Sequence, residues 1–219
     1  MNDYLKRYIK EHIALIDEEM YEELYSNCNK SDRSELTKFL LSCNITPDEY
    51  MTSLPEYYLA KSNVHSYHIS STINVIGGGA FLDCPELKSI YIPESVTNIK
   101  DYAFYHCTEL TSAIIGNGVT SIGRAVFEKC TALTSITIPD SVISIGVSAF
   151  EGCSSLTSIT IPNSITSIEC GSFRNCSRLN TISYKGTVEE WKHIDISPRS
   201  FDNVLTSIVR CTDGITRTL

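Results

Sequence analysis

No stretch of this 219-residue chain approaches the roughly 18 to 20 consecutive apolar residues of a membrane-spanning helix, so a membrane is not an expected partner. Positive charge is thin: 18 Lys and Arg stand against 26 Asp and Glu, and no Lys/Arg-rich run occurs. Nucleic-acid binding through phosphate neutralisation is therefore not expected. The start, Met1-Asn2-Asp3-Tyr4-Leu5-Lys6-Arg7-Tyr8, lacks the basic opening and apolar core of a signal peptide. A chain that begins natively at Met1 is expected in the cytoplasm. Catalytic signatures are missing too. The sequence holds no Gly-rich phosphate loop with its lysine, no His-Glu-x-x-His, no Cys-x-x-Cys and no nucleophile elbow. The expectation is a protein that is not an enzyme and takes no cofactor or metal.

What the sequence has is period. Phe81, Phe104, Phe127, Phe150 and Phe173 stand one 23-residue step apart. The same step carries Cys84, Cys107, Cys130, Cys153 and Cys176, then Leu87, Leu110, Leu133, Leu156 and Leu179, and also Ile76, Ile99, Ile122, Ile145 and Ile168. Four columns in register mean a solenoid, whose turns bury their apolar residues only by stacking on each other. The phenylalanines are expected to form an aromatic spine in the core.

Within one turn, Ser135-Ile136-Thr137-Ile138 alternates polar and apolar, which marks a half-buried strand. Pro139 ends it, because proline lacks the donor a continuing ladder needs. Val142 and Ile145 are expected inside, with Gly146 relaxing the bend, and Ala149, Phe150 and Cys153 on the inner face of a short helical turn. The nine cysteines divide into five of the column and four others, Cys28, Cys43, Cys170 and Cys211, with no spacing that suggests pairing. An odd column cannot pair completely, so the column cysteines are expected to be reduced, buried and hydrophobic in role.

The pattern of Ile138-Pro139-Asp140-Ser141-Val142, Ser144-Ile145-Gly146, Ala149-Phe150-Glu151-Gly152-Cys153 and Ser154-Ser155-Leu156 resembles the BspA-type leucine-rich repeat family. It recurs at Ile92-Pro93-Glu94-Ser95-Val96 and Ile161-Pro162-Asn163-Ser164-Ile165. The tail, Tyr184-Lys185-Gly186-Thr187-Val188-Glu189-Glu190-Trp191 with Cys211-Thr212-Asp213-Gly214, looks like the closing segment of many members. The resemblance implies an α/β solenoid, a right-handed leucine-rich-repeat stack of about five 23-residue turns with short parallel strands. It also implies adhesion or host interaction for members that carry export signals. Gly116 in place of proline, Ala113 in place of isoleucine and Val126 in place of alanine make the third turn atypical.

Three regions are expected: an N-terminal helical cap or small helical module over 1–65, the repeats over 66–184 and a C-terminal cap over 185–219. Residues 3–26 show an amphipathic helical period with an acidic face from Asp17 to Glu23. A second helix fits 31–43, and Thr46-Pro47-Asp48-Glu49 starts a third. Residues 1–65 contain 12 acidic and 7 basic side chains, which again disfavours DNA. Thr187 and Glu190 form a capping-box pattern that would place Trp191 over the last turn.

Candidate chemistry is weak. His65 and His68 sit on an extended entry that splays them, and Cys107 beside His106 belongs to the buried column. Binding is the better expectation, with a protein partner of unknown identity. Most outward strand positions are Ser or Thr, whereas Tyr91 and Ile114 break that uniformity on adjacent turns. A contact patch is expected at Ser89, Tyr91, Tyr102, Tyr105, His106, Ser112, Ile114 and Thr137, because tyrosine is enriched where interfaces concentrate their energy. The function expected is protein–protein recognition through the exposed sheet face, as a bacterial or phage accessory inhibitor or adaptor. The alternative is a structural component that assembles as a homo-oligomer.

Overall fold

The computed structural model describes residues 35–40, 53–54, 56, 58–206 and 208–218. Each turn of the chain contributes one strand to each of two sheets. The shorter strands are β1 (Ser53–Leu54), β3 (Val75–Ile76), β5 (Asn98–Ile99), β7 (Ser121–Ile122), β9 (Ser144–Ile145), β11 (Ser167–Ile168) and β13 (Asp195–Ile196). The longer ones are β2 (Ser66–His68), β4 (Ser89–Ile92), β6 (Ser112–Ile115), β8 (Ser135–Thr137), β10 (Ser158–Ile161), β12 (Thr181–Tyr184) and β14 (Ile208–Arg210), with β15 (Ile215–Arg217) as a final hairpin partner. Both sheets run in parallel register along the stack, save for the antiparallel β14–β15 pair. Strands β4 and β6 alternate exposed residues, Ser89 and Tyr91 or Ser112 and Ile114, with buried Ile or Ala, as a half-buried strand must.

The third side of each turn is a correction to the expected short helix. Residues 147–152 form consecutive turns without helix. Two residues of each wall are left-handed: Tyr102, Ala125 and Ser148 at φ 61, 53 and 55°, and Asp83, His106 and Lys129 at φ 55, 59 and 60°. Alternating handedness aims the N–H groups at the next turn, so Tyr102, Phe104 and His106 donate to the carbonyls of Arg124, Val126 and Glu128. Those donors are the ones a helix would have used internally. The residue before each column cysteine is thus one of the two left-handed positions of its turn. Gly146 has a different task from the one expected: a Cβ there would come within 2.7 Å of the Gly123 carbonyl carbon. It permits close stacking.

The core runs the length of the stack. The phenylalanines are fully buried and their rings stack nearly parallel, with centroids 5.0 Å apart for Phe81–Phe104 and 5.6 Å for Phe127–Phe150. Phe201 continues the spine against Phe173 at 5.2 Å. Every column cysteine is buried and free. Each of the last four donates its thiol to the phenylalanine carbonyl of the preceding turn, as in Cys130 to Phe104 at 3.2 Å. The cysteines therefore also satisfy buried acceptors.

The stack has about seven turns where five were expected. At the N-terminal end the step shortens: Leu54 pairs with Ile76, Leu59 N–H bonds Ala80, and Ser62 meets the Cys84 thiol at 3.4 Å, so Leu59 and Ser62 fill the Phe and Cys slots. At the C-terminal end the helix Val188–Lys192 lengthens the step from Phe173 to Phe201. Its capping box is present, with Thr187 accepting from Glu190 N–H and Glu190 reaching back to Thr187 N–H. Trp191 is buried against Tyr184 and donates its indole N–H to Arg217.

Residues 35–40 are helical, and Leu36 and Leu40 are buried in the same cluster as the solenoid core. The rest of the expected helix over 31–43, the helix over 3–26 with its acidic face, and the start at Thr46 lie outside the described residues.

Candidate recognition surface

The outer face of the eight-stranded sheet is built by register. Ser66, Ser89, Ser112 and Ser135 form one row, and His68, Tyr91, Ile114 and Thr137 form the next. Side-chain alternation sends both rows outward while Tyr67, Ile90, Ala113 and Ile136 point inward. Tyr91 is 44 % exposed and Ile114 60 % exposed, so two adjacent turns present large apolar side chains in a field of hydroxyls. Beside Tyr91 lies an open depression of about 260 Å³, lined by His68, Ile69, Ser71, Tyr91, Pro93, Glu94 and Ser95. It is open to solvent rather than enclosed.

The eight candidate contact residues fall on two sides of the solenoid. Ser89, Tyr91, Ser112, Ile114 and Thr137 share the sheet face. Tyr102, Tyr105 and His106 lie on the turn wall, beyond the corner made by β5. There Tyr102 and Tyr105 meet edge to face at 5.8 Å, and the Tyr105 hydroxyl accepts from Lys129 Nζ at 3.0 Å. Nearness in sequence suggested one patch, but the turn carries the chain around a corner between Tyr91 and Tyr102.

Candidate chemistry is dispersed as well. His68 is held in β2, while His65 Nε2 lies 3.0 Å from Glu86. Among the described residues no group of three or more His, Cys, Asp and Glu side chains is placed to hold a metal ion. His106 Nδ1 faces outward to Asp83 Oδ1 at 2.7 Å, whereas the Cys107 thiol points inward to the Phe81 carbonyl. Its hydrogen bond with Cys130, together with burial, holds the Cys107 thiol well above the ordinary thiol range. The two do not form a nucleophile and base.

The sequence reading missed Leu205, Ile208 and Ile215, which are 66, 46 and 62 % exposed near the C-terminal end. An alternating Ile208-Val209-Arg210 and Ile215-Thr216-Arg217 is visible as a strand pattern. Without the repeat period, nothing in it says which residues face outward.

The model for the BspA-type leucine-rich repeat region, in 6 copies, matches residues 34–132 and 97–216. The chain belongs to the BspA-type leucine-rich repeat family. Among solved structures, a leucine-rich repeat protein of T. pallidum is 25 % identical with a TM-score of 0.55, over 72 % of this chain and 76 % of that one. A leucine-rich cell surface protein of Faecalibacterium prausnitzii is 24 % identical with a TM-score of 0.51, over 67 % of this chain and 55 % of that one. A leucine-rich repeat protein of Eubacterium ventriosum is 22 % identical with a TM-score of 0.56, over 66 % and 44 %. The present chain thus spans about half the length of the Faecalibacterium relative, and at these identities the likeness is one of fold. None of the curated proteins matches the chain.

Proposed function

We propose that this BspA-type repeat chain is a non-enzymatic recognition module that binds a protein partner across the outer face of its eight-stranded sheet, centred on Tyr91 and Ile114. The observation that carries this reading is the row His68–Tyr91–Ile114–Thr137, in which two large apolar side chains stand exposed on rigid, paired strands. Strand pairing fixes their spacing before a partner arrives, so little conformational freedom is lost on binding. The serines and threonines around them supply a polar rim. A module of this kind works as an adaptor or as an inhibitor by occlusion, within a bacterial or phage setting.

Affinity capture from a bacterial lysate, read by mass spectrometry, tests it with intact protein beside Tyr91→Ala/Ile114→Ser. Truncating a central anchor costs about 2 kcal/mol or more of binding, so the double variant should lose its partner. A partner retained equally by both would move the interface away from this face. Light scattering on the isolated chain separates recognition from assembly. A concentration-dependent oligomer with nothing else captured would favour the homo-oligomeric component.

A further inference from the structure

The outer face of the sheet changes character at its C-terminal end. On β8 and β10 the outward positions are Ser and Thr, but on β14 and β15 they are Ile208, Arg210, Ile215 and Arg217. The antiparallel register sets Ile208 opposite Arg217 and Arg210 opposite Ile215, so the four make a crosswise array of two aliphatic and two cationic side chains. Both isoleucines and both arginines are exposed. Neither arginine has a carboxylate within ion-pair distance among the described residues, although the chain carries an excess of 8 negative charges. Two unpaired cations beside two exposed aliphatics, on an acidic protein, are complementary to a partner with carboxylates and apolar groups in alternation.

The backbone adds an edge to that face. Strand β15 has one neighbour in the sheet. In the hairpin Cys211 N–H donates to the Gly214 carbonyl at 2.8 Å. Antiparallel ladders alternate bonded and non-bonded pairs, so the next pair, Arg210 with Ile215, is non-bonded and turns the Ile215 N–H and carbonyl to the open side. By the same alternation Arg217, opposite Ile208, also faces the open side, and its carbonyl is already taken by the Trp191 indole at 3.2 Å, so Ile215 is the residue of β15 that offers both its N–H and its carbonyl to a new strand. The open Ile215 N–H and carbonyl are a template for another strand, and the charge this short edge strand carries, Arg217, repels cationic segments while leaving acidic ones free to pair.

We propose that β15 docks an extended acidic segment of a partner protein as an added strand, whose outward carboxylates meet Arg210 and Arg217 and whose outward apolar residues meet Ile208 and Ile215. This site lies at the opposite end of the sheet from Tyr91 and stands independently of that surface. Main-chain bonds to Ile215 give the affinity, and the alternation of outward side chains gives the selectivity.

The test uses the full chain labelled with ¹⁵N, titrated with a short peptide of alternating glutamate and valine, with its lysine-for-glutamate counterpart, and with vesicles of phosphatidylcholine with and without phosphatidylserine. The glutamate peptide should shift the amide signals of Ile208, Arg210, Ile215 and Arg217, and the lysine peptide should not. Arg210→Glu/Arg217→Glu should weaken the glutamate peptide by about tenfold or more, with a matching loss of salt dependence. Ile215→Pro removes the outward donor, is tolerated at an edge facing solvent, and should abolish the shifts. Tyr91→Ala/Ile114→Ser should leave the peptide response intact, which separates this site from the other surface. Equal response to both peptides, full affinity in Ile215→Pro, a response only to phosphatidylserine vesicles, or shifts from self-association alone would each overturn strand addition.

Discussion

Ala125, Lys129 and His106 hold left-handed backbone conformations that cost an L-residue with a Cβ about 1 to 2 kcal/mol each. They persist because the N–H groups at alternate wall positions, theirs included, find carbonyls on the next turn, and neighbouring turns hold them there. The equivalent of Lys129 one turn on is Gly152, at φ 73°, and the next is Asn175, at φ 59°. A Cβ on Gly152 would meet nothing nearer than Lys129 Cγ at 3.6 Å, so space is not the constraint. Gly152→Ala should therefore cost about 1 kcal/mol of unfolding free energy in urea titration, and Gly152→Asn clearly less. Equal losses would show that the wall tolerates the left-handed state without discrimination. The thiol column makes a second prediction. Burial pushes the Cys130 and Cys153 thiols up, and Cys176 is pushed up to about 12, against an ordinary value of 9.0. The folded chain keeps protons that the unfolded chain releases above that ordinary value, so the unfolded state binds fewer protons and stability falls as pH rises. The urea midpoint should be flat below roughly pH 8.5 and fall between roughly pH 9 and 12. Cys153→Ala should make that fall shallower by one thiol's share, and a fall that Cys153→Ala leaves unchanged would assign the alkaline limb to other groups.

At the scale of elements, strands and spine were legible and the wall was not. Ser135-Ile136-Thr137 announces its own burial pattern, and the structure keeps it. The left-handed positions carry Tyr102, Ala125, Ser148, His106 and Lys129, residue types that give no local sign of positive φ. Among the described residues glycine appears there only at Gly79, Gly152 and Gly171, too sparsely to reveal the alternation. The phenylalanine spine was readable because nothing but shared burial keeps five aromatic rings at one step. Phe150 stacks on Phe127 at 5.6 Å and on Phe173 at 5.2 Å, so its removal breaks the spine in the middle and leaves each of those rings stacked on one side only. Phe150→Ala should cost about 3 to 5 kcal/mol by chemical denaturation. A loss below about 1 kcal/mol would mean that the stack collapses into the space, and that the spine is less rigid than its geometry.

For the whole molecule, the number of turns and the grouping of the surface both depended on what lies outside the strict period. The first turn is a residue short and places Leu59 and Ser62 in the Phe and Cys slots, while the last is lengthened by Val188–Lys192. Neither shows as a 23-residue step, so the sequence counted five turns where the stack has about seven. The candidate surface was half legible. Ser89, Tyr91, Ser112, Ile114 and Thr137 share one face because strand alternation is local, whereas Tyr102, Tyr105 and His106 are carried to another side by a corner that alternation does not describe. The central claim is recognition through the first of those faces. Photo-crosslinking tests it most directly, with a benzophenone side chain placed at position 91, at position 114 or at position 102 and exposed to the bacterial lysate. The account predicts one common crosslinked protein from positions 91 and 114 and none from position 102. Crosslinking from position 102 alone would contradict it and place the contact on the turn wall.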